Sequence, residues 1–234
     1  MSSTESGEKN MDAVFFFDFD NTITSFDVFD DIVQKFSVDD AWVALEEEWQ
    51  AGRIGSRQCL AGQLQSVRVN EAVLSAYLST IPVDPAFKKL LGLLEKNNVE
   101  SVIVSDSFSF FINEILDSHD IRIAKIYSNE LEFQGDRLIP SFPYMSEKCP
   151  DCAHCKKRHF SESENKKIIY AGDGRSDFCA ALEADLVYAK GTLLKYLTEQ
   201  GKPCVPFNDF EHIYAHAAGL FSKKSGIKGV LQVA

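Results

Sequence analysis

The chain has 234 residues and a formal net charge of −11, from 24 Lys+Arg and 35 Asp+Glu. An acidic surface repels phosphate backbones and anionic lipids, so this balance argues against binding to nucleic acid or to a membrane surface. Hydrophobic residues make up 45% and charged residues 25%, which are proportions typical of a folded globular protein.

The sequence carries no pattern for membrane insertion or secretion. It has no run of about 18 apolar residues, and residues 1–12 are polar, without a basic and then apolar signal. Three of the six cysteines lie within seven residues, unlike the even spacing of a small disulfide-rich secreted protein. We therefore expect a cytoplasmic protein with reduced cysteines, present as a monomer or a homodimer.

The first elements are a buried strand and a helical segment. Residues 1–12 are expected to be a disordered tail, and the apolar run Ala13–Phe17 predicts a strand covered on both faces, as in a parallel sheet. From Phe26 to about Tyr77 the apolar residues recur at helical spacing. This pattern predicts a small, all-helical cap over residues 26–81, inserted after the first strand.

Beyond residue 81 the pattern alternates between strands and helices, which is the signature of a doubly wound, Rossmann-like α/β fold with a parallel sheet. The core domain would comprise residues 13–25 and 82–221, with a loose tail at 222–234. A turn at Gln134–Asp136 between two short apolar runs predicts a hairpin on the flank of the sheet. The predicted strands are Ser101–Ser105, Ile121–Ile126, Lys167–Ala171 and Leu186–Ala189, and the predicted helices are Pro85–Lys96, Phe108–Leu116, Asp177–Glu183 and Phe210–Phe221.

Acidic and hydroxyl side chains end three of the predicted strands. Open parallel sheets bind ligands beyond the carboxyl ends of their strands, so these side chains are expected to meet. Two carboxylates two residues apart can serve as nucleophile and proton donor, and two more acids would complete an oxygen-rich site for Mg²⁺. The motifs therefore predict phosphoryl transfer. They are Asp18-Phe-Asp20-Asn-Thr22, Ser105-Asp106-Ser107 and Gly172-Asp173-Gly174-Arg-Ser-Asp177.

These motifs resemble those of the haloacid dehalogenase-like phosphatases, and the resemblance covers roughly residues 13–220. It implies that Asp18 attacks phosphorus to form an aspartyl-phosphate and that Asp20 is the general acid and then the general base. It also implies that Mg²⁺ is held by Asp18, Asp20 (through its backbone carbonyl), Asp173 and Asp177. The remaining implied site residues, which would steady the nucleophile loop or contact the substrate, are Thr22, Ser105, Asp106 and Gly174.

The same family places a lysine between the nucleophile and the phosphoryl group, where the ammonium offsets charge in the transition state. Several lysines precede the last acidic motif. In the branch that this chain resembles most, the lysine directly follows a cysteine cluster, which indicates Lys156, with Lys157 as the alternative.

The helical insert resembles the cap of the phosphoserine-phosphatase branch. Such caps close over small substrates and exclude water. Asp27 lies nine residues after Asp18, at the position where phosphoserine phosphatases carry a longer, substrate-reading glutamate. The resemblance therefore implies that Asp27 contacts the substrate.

Three further stretches resemble the subgroup that contains the methionine-salvage enol-phosphate phosphatase. They are Asn129–Phe133, Cys152–Lys156 and Ala184–Lys190. The resemblance implies a small phosphorylated metabolite as substrate, with 2-hydroxy-3-keto-5-methylthiopentenyl 1-phosphate as the first candidate. Phosphoethanolamine, phosphocholine, phosphoserine and other small phosphomonoesters are alternatives. A phosphotransferase and a non-catalytic regulator that binds a phosphometabolite are the alternatives to hydrolysis.

The cysteine cluster has the spacing of a zinc knuckle. Cys149, Cys152 and Cys155 follow one another at three-residue intervals, and His159 or His154 would complete four ligands for Zn²⁺. The alternative is a reduced loop whose sulfurs pack beneath the lysine.

Overall fold

The chain folds around a central sheet with helices on both faces. This computed structural model describes residues 12–147, 149, 151–163 and 165–222, so the expected tails at 1–12 and 222–234 lie almost entirely outside the described residues. Seven strands are found within these ranges: β1 (Ala13–Phe17), β2 (Glu100–Phe108), β3 (Lys125–Gln134), β4 (Arg137–Ser141), β5 (Lys167–Gly172), β6 (Leu186–Ala189) and β7 (Val205–Pro206).

Helices connect the strands, and none in the described ranges is long and apolar enough to cross a membrane. Short 3-10 helices lie at Lys156–Ser163 and Arg175–Asp177. The α-helices of the described residues are α1 (Val28–Phe36), α2 (Ala41–Gln50), α3 (Ser56–Gln63), α4 (Glu71–Leu78), α5 (Pro85–Lys96), α6 (Ser109–Ser118), α7 (Phe178–Glu183), α8 (Gly191–Glu199) and α9 (Phe210–Ser222).

The sheet has the strand order β4-β3-β2-β1-β5-β6-β7. All neighbouring strands are parallel except β3 and β4, which form the predicted hairpin. The chain winds first to one side of β1 and then to the other, which confirms the doubly wound α/β fold. The carboxyl end of β1 therefore lies at the switch point, where folds of this kind bind their ligands.

Strand β1 is buried from both sides, as its uninterrupted apolar sequence predicts. Ala13, Phe15 and Phe17 face one hydrophobic cluster, and Val14 and Phe16 face another on the opposite side of the sheet. The alternation follows from the two-residue period of a strand. These two packed faces hold the strand that leads directly into Asp18.

Two strand boundaries differ from the sequence prediction. The strand predicted at Ile121–Ile126 begins later than expected, because β3 begins at Lys125 and continues into the hairpin, pairing first with β2 and then with β4. Ile121 is buried although it lies outside a strand, so its apolar character reflects packing alone. Strand β2 runs on to Phe108, so that Ser105 lies within the strand.

Four helices, α1–α4, lie between β1 and α5 in the described chain. Buried residues of α1 and α4 belong to the same hydrophobic cluster as Phe15 and Phe17 of the sheet. In contrast, α2 has no buried residue. The helices of the insert are therefore held unequally, and the division into core and cap at residues 25/26 and 81/82 stays a prediction.

Replacing Phe17 with alanine is expected to destabilise the fold by about 3–5 kcal/mol, the usual cost of removing a buried phenyl ring. Its ring lies 4.1 Å from that of Phe15 and 5.2 Å from that of Phe87 on α5, measured between centroids. Urea denaturation measures the free energy of unfolding. Val43→Ala, at an exposed position of α2, is the control and should change it by less than about 0.5 kcal/mol. Equal effects of the two substitutions would contradict the prediction.

Candidate active site

Three acidic side chains converge where β1 and β5 end. Asp18 follows β1, Asp173 follows β5, and Asp177 closes the short 3-10 helix after β5. Each offers a carboxylate oxygen, and these oxygens all lie within 4.8 Å of one another. Burial, followed by the charge of Asp177, raises the pKa of Asp18 well above its ordinary value, although Lys156 acts in the opposite direction.

The ammonium of Lys156 joins two of these acids. Its Nζ donates to Asp18 Oδ1 and to Asp177 Oδ1, both at 2.7 Å, and to Ser176 Oγ at 2.9 Å. The residue is only 2% exposed. Burial opposes the charged ammonium, but Asp177 and Asp18 outweigh it and hold the pKa of Lys156 well above its usual range. Lys157 instead donates to Glu183 on the surface, at 2.7 Å.

Asp177 organises the loop after β5. Its Oδ1 accepts from Lys156 and from the Tyr170 hydroxyl at 2.6 Å, and its Oδ2 accepts from the backbone N–H groups of Asp173 (2.9 Å) and Gly174 (3.0 Å). Tyr170 was not predicted as a site residue, because it lies two residues before the last motif within an apolar strand. The two carboxylate oxygens of Asp177 already accept four hydrogen bonds. Asp177 therefore mainly fixes the shape of the loop and has little capacity left to bind a metal ion.

The loop after β1 holds Asp173 in place. Asn21 Nδ2 donates to Asp173 Oδ2 at 2.6 Å, and Thr22 Oγ1 donates to Asp173 Oδ1 at 3.1 Å. Burial and then Asp177 raise the pKa of Asp173 to about 6, while the two hydrogen bonds act against this rise. Thr22, which the resemblance placed among the residues that steady the nucleophile loop or contact the substrate, does not line the pocket described below, and its hydroxyl contacts Asp173. Asn21, the left-handed residue of the turn at φ 49°, was not predicted as a site residue.

Asp20 and Asp27 lie at the start of α1. Asp20 Oδ1 accepts from the Val28 N–H at 3.0 Å, and Asp27 caps the helix by accepting from the Asp30 N–H at 3.0 Å. Burial raises the pKa of Asp20 to about 7, although hydrogen bonds from Ser107 and Val28 oppose the shift. A carboxyl group that retains its proton near neutral pH can protonate a leaving group. Both residues line the pocket.

The end of β2 presents Asp106 and Ser107 to the pocket rather than Ser105. Ser105 is completely buried, and its Oγ accepts from the Ser107 N–H at 3.1 Å. The predicted phosphoryl contact of Ser105 stays a prediction, although Ser105 does not line the pocket. The reason is the length of β2, which keeps Ser105 inside the sheet and brings the following residues to the edge.

A cavity of about 120 Å³ opens beside these acids, between the strand ends and helices α1–α3. Its base carries the groups of the strand ends, and Gly174 belongs to it as predicted. The opposite wall is unusually acidic, because Asp27, Asp30 and Glu46 all contribute to it. The lining residues on that side are Asp27, Phe29, Asp30, Glu46, Trp49, Ser56, Cys59, Leu60 and Gln63.

The cysteine loop brings some of its thiols together, because the Cys149 side chain is hydrogen-bonded to Cys155 and to Cys179. In the part of the chain that the structure describes, Asp18, Asp173 and Asp177 form the group of metal-ligating side chains that converge, and no three of the predicted zinc ligands do so. His159 instead places its Nε2 2.8 Å from Nε2 of His154, and its ring stacks on Tyr127 with centroids 3.9 Å apart. Zinc binding by Cys149, Cys152, Cys155 and His159 therefore stays a prediction.

The donor set of the acidic cluster suits a hard divalent cation. Asp18, Asp173 and Asp177 share the single positive charge of Lys156, so the cluster keeps an excess of negative charge. Carboxylate oxygens are the ligands that Mg²⁺ prefers in proteins. A bound cation would relieve the repulsion that helps to raise the pKa values of Asp18 and Asp173.

The fold and the acids at its strand ends are those of a phosphatase, and comparisons with known proteins agree. Residues 13–199 match the family described as Putative Phosphatase, and the chain belongs to that family. It is 29% identical over 210 residues to the 2-hydroxy-3-keto-5-methylthiopentenyl-1-phosphate phosphatase of Exiguobacterium sp., an alignment that covers 87% of this chain and 96% of that protein.

Solved structures share the fold. A haloacid dehalogenase family hydrolase from Salmonella enterica serovar Typhi aligns with a TM-score of 0.69 at 16% identity, covering 86% of this chain and 69% of the other. The phosphoserine phosphatase of T. onnurineus in complex with NDSB-201 aligns with a TM-score of 0.66 at 15% identity, covering 92% and 98%. At these identities the similarity concerns the fold.

Gly172→Ala is expected to destabilise the protein by about 1–3 kcal/mol through overpacking. A Cβ at this position would lie 2.5 Å from Asp177 Oδ2, which is itself held by two backbone N–H groups and cannot move freely. Gly174→Ala is the matched control, because a Cβ there meets no atom within 4 Å. Chemical denaturation compares the two variants, and a loss of stability at Gly174 equal to that at Gly172 would refute the explanation.

Proposed function

We propose that the protein is a Mg²⁺-dependent phosphatase that hydrolyses a small phosphomonoester through an aspartyl-phosphate on Asp18. The observation that carries this proposal is the pair of 2.7 Å hydrogen bonds from the buried Lys156 to Asp18 and Asp177, at the strand ends. An ammonium in this position can offset the charge of a phosphoryl group next to Asp18.

The proposed reaction has two steps. In the first, an Asp18 carboxylate oxygen attacks phosphorus, the bond from phosphorus to the ester oxygen breaks, and Asp20 gives its proton to that leaving oxygen. In the second, Asp20 takes a proton from water, the resulting hydroxide attacks phosphorus, and the bond to Asp18 breaks to release phosphate. The pKa of Asp20, raised to about 7, supports an acid that changes role between the steps.

The proposed Mg²⁺ would be held by Asp18, Asp173 and the backbone carbonyl of Asp20, with Asp177 supporting the loop around it. When bound, the cation neutralises charge on the phosphoryl oxygens and orients the phosphoryl group toward the nucleophile. Asn21 and Thr22 would serve this site indirectly, because their hydrogen bonds fix both oxygens of Asp173. Asp106 and Gly174 lie at the pocket, where a substrate would contact them.

The first substrate candidate is 2-hydroxy-3-keto-5-methylthiopentenyl 1-phosphate, the compound in the names of the relatives from Exiguobacterium and Brevibacillus brevis. The latter is 28% identical over 207 residues. A cavity of about 120 Å³ suits a small metabolite better than a protein segment. Phe29 and Leu60 give the opposite wall of the pocket an apolar surface that suits a thioether chain.

The acidic wall of the pocket favours a second candidate, a phosphomonoester that carries a positive charge, such as phosphoethanolamine or phosphocholine. Burial and then Glu46 raise the pKa of Asp30 to about 6, which indicates that these carboxylates repel each other. Among the lining residues, Arg175 is a cation, but its Nη1 donates to the carbonyls of Trp49 and Gln50. An ammonium on the substrate would offset the remaining charge.

Asp18→Asn is expected to lower Mg²⁺-dependent release of phosphate from p-nitrophenyl phosphate by more than about a thousandfold, because an amide cannot act as the nucleophile. Asp117→Asn, which alters an exposed acid of α6, is the control and should retain normal turnover. Near-normal turnover by the Asp18→Asn variant would refute the mechanism. A wild-type protein that binds phosphate esters but releases no phosphate would instead be a regulator.

The double substitution Asp30→Asn and Glu46→Gln distinguishes the two substrate candidates. If the substrate is cationic, the KM for phosphoethanolamine should rise about tenfold or more, because hydrogen bonds between charged groups are lost. The KM for p-nitrophenyl phosphate should change little. Glu47→Gln, on the exposed side of α2, is the matched control. Faster hydrolysis of the enol-phosphate than of phosphoethanolamine, with no effect of the double substitution, would exclude the second candidate.

A further inference from the structure

Arg175 lies between Asp173 and Asp177 in the chain but binds to the helical insert. Its Nη1 donates to the main-chain carbonyls of Trp49 and Gln50, each at 3.0 Å. Its guanidinium carbon also lies 5.3 Å from the centre of the Trp49 ring. One side chain of the acidic loop therefore makes both a polar and a cation–π contact with the end of α2.

The end of α2 is a favourable place for a cation. The carbonyls of the last helical turn lack partners within the helix and carry a partial negative charge. The last turn of α2 contains no basic residue, and Glu46, Glu47 and Glu48 add further negative charge to this half of the helix. Arg175, from a different part of the chain, supplies a cation at this terminus, and its bond to the Trp49 carbonyl adds to the one from the Gly52 N–H.

Packing holds α2 less firmly than α1, since its Trp42 is only partly buried against the main hydrophobic cluster and its Leu45 packs on Gly62 of α3. The helix has no buried residue, whereas α1 contributes four residues to the main hydrophobic cluster. Nevertheless, Glu46 and Trp49 of α2 line the pocket. The position of this pocket wall therefore depends on polar contacts as well as on packing.

The segment after α2 has a second contact with the core. The Ser56 N–H donates to the Asp151 carbonyl at 2.7 Å, and Trp49 Nε1 donates to Ser56 Oγ at 3.0 Å. At Gly55, a Cβ would lie 2.8 Å from the Asp151 carbonyl oxygen, so the two backbones touch closely. Through the Trp49–Ser56 hydrogen bond this contact also reaches the end of α2, where Arg175 adds its own bonds to the Trp49 and Gln50 carbonyls.

We propose that Arg175 is a positioning residue, which holds the end of α2 over the pocket and thereby places Glu46 and Trp49 against the substrate. The role rests on the proposed function, since it concerns the same pocket. Because Arg175 is only two residues from Asp173, the position of the acidic loop determines the position of the pocket wall. Loss of the contact should weaken substrate binding and leave the chemical step, which uses Asp18, Asp20 and Lys156, largely unchanged.

Hydrogen–deuterium exchange of the peptide that covers α2, together with steady-state kinetics on p-nitrophenyl phosphate, tests this role. In Arg175→Ala, the amides of α2 should exchange about tenfold faster and KM should rise about tenfold. A factor of about ten is the contribution of one hydrogen bond to a charged group. The kcat should stay within about twofold of the wild-type value. Arg175→Lys keeps the charge but not the forked geometry, so both effects should be intermediate.

Arg53→Ala is the matched control. It also removes an arginine beside the end of α2, but this arginine pairs with Glu48 on the surface. The proposal is overturned if Arg175→Ala behaves like Arg53→Ala, or if only one of the two measurements changes. Loss of kcat with unchanged exchange would assign Arg175 to the chemical step instead. If the wild-type protein hydrolyses nothing, the proposed function fails, while the exchange measurement still decides whether Arg175 holds α2.

Discussion

The buried hydrogen bonds from Lys156 to Asp18 and Asp177 are the interaction on which the arrangement of the site depends. An ammonium and two carboxylates lose their hydration when they are buried, and removing one partner of such a group costs about 3–5 kcal/mol. The three residues come from separate segments of the chain, after β1, before β5 and after β5. Each buried charge is stable only beside its partner, so the contacts of Lys156 with Asp18 and Asp177 hold these three segments together at one point.

The sheet brings these groups to that point by simple geometry. The parallel neighbours β2 and β5 flank β1, so the acids that follow β1 and β5 emerge at the same edge. The Asp18 N–H still donates to the Ala171 carbonyl at 2.9 Å, which extends the β1–β5 ladder to the first acid. The hydrophobic faces of β1 then resist any displacement of Asp18. Packing of Phe15, Phe16 and Phe17 thus determines the position of a polar centre.

The parts of the site that the sequence predicted well are those that depend on local pattern. Asp18 and Asp173 directly follow apolar strands, Asp20 and Asp177 come shortly after them, and the fold class follows from the alternation of strands and helices. The parts that it predicted poorly depend on contacts between distant segments. Ser105 is buried because β2 continues to Phe108, beyond its run of apolar residues. The His159 ring contacts His154, a pairing that the spacing of the cysteines did not indicate. Asn21 and Tyr170 contribute by donating hydrogen bonds to Asp173 and Asp177, and no local sequence pattern predicts these contacts.

The two sides of the pocket are held in physically different ways, and this difference bears on selectivity. The groups proposed for the chemical step lie on a sheet that is packed on both faces, so their geometry tolerates little change. The facing wall includes a helix without buried residues, tied to the acidic loop through Arg175. Substitutions on α2 therefore meet fewer packing constraints than substitutions on the sheet. A protein built in this way can change the substrate it admits, through residues such as Glu46, while the phosphoryl-transfer groups stay in place.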